Sequence, residues 1–339
     1  MLHRLLKFVF LTVFILRGTL AEAQDPVFSQ WYAAPLQTNP AFAGTAGAPF
    51  IALNYRSQYP AFNNGAAYST FAASYDQPLN ESNSSIGISI MTDDAGQGIL
   101  KKTYASASYS YKVNINQDVS AKIGVEAGMI QTGLDWDKLI FFDQLDAITG
   151  ATLPDGTVRP TSEIRPTELN KTFFDLSTGF LLAASNFHVG LSVKHLATPD
   201  EGFLKVNQNL RIGLPIRWTL HGGYEFTLRK GTRRRPSMFV VPSVMVVKQG
   251  DFLQIVGGAY FGFGPIFTGA WLRQTASNPE SAIFTIGFKQ EYFKIGYSYD
   301  FPIGGLGSRT GGSHEVSVTI NLDPNPRKID INDCFKMFR

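Results

Sequence analysis

Four histidines lie beyond the first twenty residues: His188, His195, His221 and His314. A hydrolytic site would need one of them as a base, within hydrogen-bond reach of a nucleophile and an orienting group. His195 and His314 sit at the ends of extended segments. His314 also falls on an apolar-facing register, a poor place for a general base. The sequence contains no G-x-S-x-G, H-E-x-x-H or P-loop pattern, so no catalytic residue is expected. Asp135, Asp137, Asp143, Asp146 and Asp155 crowd the segment Gln131–Lys171 and offer the oxygen ligands that a hard cation such as Ca²⁺ takes. Their spacing matches no EF-hand, and acidic loops are usually solvated, so neither a metal nor a cofactor is expected. The single cysteine, Cys334, excludes an intramolecular disulfide and has no lipobox around it. A net charge of +3 is too small to argue for nucleic acid.

The elements that carry these residues are strands. From Asp118 to Met129, Val119, Ala121, Ile123, Val125, Ala127 and Met129 fall on one face, and Ser120, Lys122, Gly124, Glu126 and Gly128 on the other. A period of two is the side-chain period of a strand. It recurs over segments of about ten residues, as in a barrel with lipid outside and polar groups inside. The chain opens with His3, Arg4 and Lys7, an apolar run Phe8–Leu16, and Ala21-Glu22-Ala23. These are the parts of a secretory signal peptide over residues 1–23, with Gln24 as the first mature residue. The apolar run is too short to span a membrane as a helix, and no later uncharged run is longer. Spanning must therefore be by strands, because only helices and closed barrels satisfy their backbone groups in lipid. The charged fraction of 17% is below that of typical soluble domains, and mean hydropathy is near zero.

Alternation and turn residues predict about fourteen strands between residues 50 and 322, an even number that places both barrel ends on one side. The longest connections, Gln131–Lys171, Leu196–Gly213 and Phe301–Gly312, all fall on odd positions, as extracellular loops would if both termini were periplasmic. Thr227–Arg235 is a basic even connection. The predicted lipid face includes Thr103, Ala105, Ala107, Tyr109 and Tyr111 on one strand, and Ala282, Phe284, Ile286 and Phe288 on another. The opposite face carries Lys102, Lys122, Glu126, Asp175, His188, Lys194, Lys289, Lys294, Asp300 and Glu315, which predicts a wet or salt-bridged interior. Residues 24–49 are rich in Pro, Ala and aromatics and do not alternate. Residues 323–339 form a polar tail opening Asp323-Pro324-Asn325-Pro326, which cannot continue a ladder.

Three stretches carry a family resemblance: Gln24-Asp25-Pro26-Val27-Phe28-Ser29-Gln30-Trp31-Tyr32, then Pro35-Leu36 with Asn39-Pro40-Ala41-Phe42-Ala43-Gly44, then Asn54-Tyr55-Arg56-Ser57-Gln58-Tyr59-Pro60. This opening resembles the PorP/SprF family of outer-membrane proteins associated with the type IX secretion system. Gly296-Tyr297-Ser298-Tyr299-Asp300 and Gly312-Ser313-His314-Glu315-Val316-Ser317 resemble the family's closing hairpin. The resemblance implies a part in protein export across the outer membrane, linked in some members to adhesins and gliding motility. The partners it implies are periplasmic lipoprotein and ring components, and secreted adhesin cargo with a type IX C-terminal signal. It does not imply catalysis.

Physically, the opening stretch has the character of a plug or docking strip. Phe28, Trp31, Tyr32 and Phe42 are large anchors, Asn39 and Pro40 belong to the motif, and Pro26, Pro35 and Pro40 hold the strip extended without strand pairing. Arg56 heads toward the extracellular end of the first strand, where the expected partner is a lumen carboxylate such as Glu126 or Asp175. Phe335 and Phe338 in the tail are candidates for a periplasmic tether. The expected function is binding rather than transport through the lumen. The alternatives are an outer-membrane transporter of hydrophobic small molecules, which would need an apolar lumen pocket, and a passive porin, which would need an open lumen. The expected organisation is thus a signal peptide (1–23), a plug-like segment (24–49), an all-β transmembrane antiparallel barrel in outer-membrane lipid (50–322) and a short C-terminal periplasmic tail (323–339).

Overall fold

In the computed structural model, each strand pairs antiparallel with its neighbours and the last closes on the first, so no sheet edge is left unpaired. The structure describes residues 25–61, 67–79, 82–117, 119–184, 186–203, 213–232, 236–275, 279–290, 292–304 and 310–323. The strands are β1 (Phe50–Gln58), β2 (Tyr68–Pro78), β3 (Ser84–Ala95), β4 (Leu100–Asn114), β5 (Val119–Leu134), β6 (Asn170–Ala184) and β7 (Phe187–Lys194). They continue with β8 (Arg217–Tyr224), β9 (Phe226–Arg229), β10 (Met238–Gln249), β11 (Phe252–Phe263), β12 (Ile266–Thr275), β13 (Pro279–Lys289), β14 (Phe293–Pro302) and β15 (Ser313–Asn321). Strands β8 and β9 both pair with β10 and together make one stave, so the barrel has fourteen. The break between them faces Pro242 of β10. Pairing stops at Ser243↔Gly223 and resumes at Val240↔Phe226, where proline has no N–H to donate. The fourteen staves match the number of strands that alternation predicts between residues 50 and 322.

Connections alternate between the two rims. The long ones, β5–β6, β7–β8 and β14–β15, therefore share one rim, and the start of β1 and the end of β15 share the other. The outer face is apolar across its width: Ile88, Ile123, Val125, Leu272 and Ile286 are each more than half exposed. The inward register is buried and largely polar on β1–β8 and on β14 and β15, with Lys102, Lys122, Glu126, Asp175, His188, Asp300 and Glu315 all below 9% exposed. Lys289, predicted to face inward, lies exposed at the last residue of β13, where the strand runs out at the short-turn rim. His314 lies on the outer face, its Nδ1 2.7 Å from the Tyr297 hydroxyl.

The β5–β6 connection is built by its acidic residues. Asp146 accepts the backbone N–H groups of Ile148 and Thr149 at 2.9 and 3.0 Å, and Asp155 accepts that of Thr157 at 2.9 Å. Asp143 accepts that of Ser162 at 2.6 Å, while Asp137 pairs with Arg165 at 2.9 Å. These bonds favour the ionised form and hold Asp143, Asp146 and Asp155 below the usual carboxylate range: backbone donors lead for the first two, and the Thr157 hydroxyl leads for Asp155. A carboxylate with a lowered folded-state pKa stabilises its loop above the unfolded-state range and loses that contribution as pH falls through the folded value. Acidification below the ordinary carboxylate range should thus loosen this loop before the barrel. Hydrogen–deuterium exchange, corrected for intrinsic rates, should show faster exchange at Ile148, Thr149, Thr157 and Ser162. Unchanged protection there would refute the role of the caps.

Candidate functional site in the barrel lumen

The segment preceding β1 runs through the barrel. Its start lies near the long-loop rim: Asp25 meets Gln249 at the end of β10, Arg217 at the start of β8 and His195 just past β7. Its end feeds β1 at the opposite rim. Local sequence makes the path compact without strand pairing. Short turns form at Trp31–Ala33, Pro35–Thr38 and Pro40–Phe42, two of them opened by proline at the first helical position. Asn39 caps the third, accepting the Ala41 N–H at 2.9 Å, while its amide donates to the carbonyls of Phe180 (3.1 Å) and Leu191 (3.3 Å) on the wall. Gly44 takes φ +68°, and a Cβ there would collide with Ser85. The wall is also cut to fit, since a Cβ at Gly124 would lie 2.4 Å from the Ala41 nitrogen.

The lumen divides into an apolar and a polar side. Val241, Met245, Val247, Val256, Tyr260, Phe267, Trp271 and Ile283 of β10–β13 form one buried cluster with Trp31, Tyr32 and Phe42. Tyr32 stacks on Trp271 with ring centroids 5.7 Å apart, and Lys294 lies 5.3 Å from the Tyr32 ring. Phe28, Trp31, Tyr32, Leu36 and Phe42 are each 5% exposed or less. At roughly 1.5–3 kcal/mol per large apolar side chain, their burial is worth on the order of 10 kcal/mol before ordering entropy.

Two polar clusters hold the segment near the long-loop rim. In the first, Arg56 pairs with Asp300 at 2.9 Å and Glu315 at 3.2 Å, and Arg273 pairs with Asp300 at 2.9 Å. Ser29 sits between them: its hydroxyl donates to Asp300 at 2.7 Å and accepts from Arg56 at 2.5 Å and Arg273 at 2.6 Å. The backbone N–H groups of Ser29 and Gln30 donate to Glu315 at 2.7 and 2.8 Å. In the second, each ring nitrogen of His195 faces a carboxylate, Asp25 at 2.5 Å and Asp175 at 2.8 Å, an arrangement that an imidazolium donating twice satisfies. Lys194 pairs with Glu126 at 3.2 Å, and Lys102 with Glu201 at 2.9 Å. A cavity of about 60 Å³ remains beside Asp25, room for a few waters.

Of the sequence-predicted site residues, Phe28, Trp31, Tyr32, Asn39, Pro40, Phe42 and Arg56 come together here, all buried. Phe335 and Phe338 lie outside the described residues, as do Arg233–Arg235, residues 1–23 (the expected signal peptide) and residues 324–339. Three expectations are corrected. Arg56 pairs with Asp300 and Glu315 instead of Glu126 or Asp175, because closure of the barrel sets Arg56 directly opposite Glu315. The lumen is not polar throughout. Asp25 and Asp323, the outermost described residues, lie at opposite rims, not together. Arg273 and Arg217 escaped the sequence reading. On β12, Phe267, Trp271 and Arg273 share the inward register with apolar residues on the other face, so alternation does not tell inside from outside.

A closed antiparallel barrel with an apolar outer band and a packed interior defines an outer-membrane β-barrel protein of bacteria. Residues 20–320 match the family described as type IX secretion system membrane protein PorP/SprF, and the chain belongs to that family. No curated protein sequence matches it. Among solved structures it is similar to the CymD monoaromatic hydrocarbon channel, with 11% identity and a TM-score of 0.43 over 85% of this chain and 92% of that one. It is also similar to a Pseudomonas aeruginosa FadL homologue, with 11% identity and a TM-score of 0.39 over 84% and 92%. BamA from Haemophilus ducreyi lacking POTRA domains 1–3 has 8% identity and a TM-score of 0.38 over 80% and 69%.

Removing one partner from a buried ion cluster costs about 3–5 kcal/mol, because the other charges are left uncompensated. Arg56→Met should accordingly lower the thermal unfolding midpoint in detergent sharply, while the exposed-loop variant Arg165→Met should leave it within a degree or so. Gly124→Leu should push Pro40–Ala41 off the wall and expose residues 25–48 to protease, with the barrel still heat-modifiable on gels. A segment that stays protected in that variant would show that Gly124 is not needed for its seat.

Proposed function

We propose that this chain is a non-enzymatic outer-membrane component of the type IX secretion machinery. It binds through its rims and passes nothing through its lumen. The observation that carries this reading is the segment Asp25–Ala48, seated on an apolar wall and tied by the Arg56–Asp300–Glu315 and Asp25–His195 clusters. A lumen filled this way offers no open path, which argues against a passive porin. The partners of this reading are periplasmic lipoprotein or ring components at the short-turn rim, and secreted adhesin cargo at the long-loop rim. In the corresponding orientation the long loops are extracellular, residues 323–339 form a periplasmic tail, and residues 1–23 are the signal peptide. The aromatics of residues 28–42 then serve as an internal stopper and not as the docking surface. The apolar β10–β13 wall favours one second reading, a carrier of hydrophobic small molecules that would bind there once Trp31 and Tyr32 withdrew.

Affinity purification of tagged protein from solubilised outer membrane, with and without residues 324–339, tests this directly. Recovery of periplasmic lipoproteins or a large surface adhesin is expected, and loss on truncation would give the tail its docking role. Recovery of the barrel alone, with bound lipid or fatty acid, would move the assignment to the carrier. In planar bilayers the intact protein should be silent, and a variant lacking residues 25–48 should conduct. Steady conductance by the intact protein would overturn the stoppered lumen.

A further inference from the structure

A cavity of about 470 Å³ opens on the outside of the barrel, where β4, β5 and β6 meet the long-loop rim. Its floor is outward-facing strand, with Lys101 opposite Gly133 and Thr103 opposite Gln131; its side is the first turn of the β5–β6 connection, with Trp136. Trp136 is held by Phe141, ring centroids 4.7 Å apart. The amides of Gln131 and Asn170 and the ammonium of Lys101 make no hydrogen bond or ion pair with another described residue. The two lining carboxylates, Asp135 and Asp137, are balanced by Lys138 at 3.5 Å and Arg165 at 2.9 Å. The lining is therefore a flat aromatic ring, free amides and a nearly neutral charge. That chemistry suits a ligand of many hydroxyls better than a compact phosphate, which calls for converging cations or backbone N–H groups.

The wall below the cavity adds a second observation. Ala105 and Ala107 of β4 form a shallow strip flanked by Ile90 and Ile88 on β3 and by Met129 on β5; at Ala107 it widens to the facing Ala127, beyond which stands Leu176 of β6. These flanks stand out, Ile88 at 60% and Met129 at 57% exposed. A polyhydroxyl pocket at the membrane boundary, continued by an apolar furrow down the lipid face, has the two-part chemistry of an amphiphile. We propose that this outer-wall site takes a glycolipid, with its saccharide headgroup against Trp136, Gln131 and Asn170 and an acyl chain along the alanine furrow. The assignment rests on the membrane barrel alone, independently of how the lumen is used.

The test uses full-length protein in a polyoxyethylene detergent, which carries no sugar, with native mass spectrometry as the readout. Dodecyl maltoside should be retained at concentrations at which dodecylphosphocholine is not, and maltose alone should not be retained. Trp136→Ala and Gln131→Ala should each reduce maltoside retention about tenfold, and Trp218→Ala, on the outer face of β8, should not. Equal retention of the phosphocholine amphiphile, or undiminished retention in both cavity variants, would overturn the site. Retention of free maltose would replace the lipid by a soluble saccharide. Should Trp136→Ala fail to fold, a photoactivatable maltoside on the unaltered protein decides: crosslinks within residues 98–137 or 169–170 support the site, and crosslinks elsewhere refute it.

Discussion

Fourteen staves enclose more space than their own inward side chains can fill. A barrel of that width either holds water or must be packed by something else, and the rest of this structure follows from the second solution. The filler comes from the same chain, immediately before β1, so it needs no bimolecular association and is positioned by the strand it leads into. Its single-turn helices satisfy much of their own backbone while taking up volume. That is why an Asn-Pro-Ala-Phe-Ala-Gly stretch, useless as a strand, suits the place.

The wall and the segment are complementary by sector. Tyr32 packs on Tyr260 and Trp271 of the apolar staves, and Trp31 and Phe42 join the same buried cluster while packing on His221 of β8, whereas Ser29, Gln30 and the Asp25 carboxylate face the charged staves. The ion clusters are not merely a polar lining. Arg56 and Arg273 against Asp300 and Glu315 balance in charge, and Ser29 completes them by accepting from both arginines and donating to Asp300. Withdrawing the segment would strip the carboxylates of those donors and expose an apolar wall at the same time. Both costs fall on the same event, so the segment's seat is cooperative.

Sequence periodicity made the barrel legible because each stave meets lipid on one face and protein on the other, and a period of two records that contrast directly. Where both faces are apolar, as at Phe267 to Leu272, the contrast vanishes and the inward register cannot be read. The aromatic strip at residues 28–42 was legible as a set of anchors from its composition and its lack of alternation. Its destination was not, since nothing local distinguishes an anchor for a partner from one for the inner wall. Pairing was the least legible level. Arg56 and Glu315 lie 259 residues apart and meet only because β1 closes on β15, and His195 reaches Asp25 only because the segment threads past β7.

The outer face carries information of a different kind. Lipid imposes only apolarity, and most outward positions meet it with large side chains. The run of alanines at 105, 107 and 127 meets the same demand at a cost in contact area, since small residues bury less acyl surface than isoleucine or phenylalanine would. Such a strip lowers the wall locally, and it lies directly under the rim cavity whose free amides have no described partner. Neither feature is needed to close the barrel, and neither touches the segment in the lumen. Their coincidence on the β4–β6 staves sets the outer wall apart from the interior, which is packed by the chain's own residues 25–48.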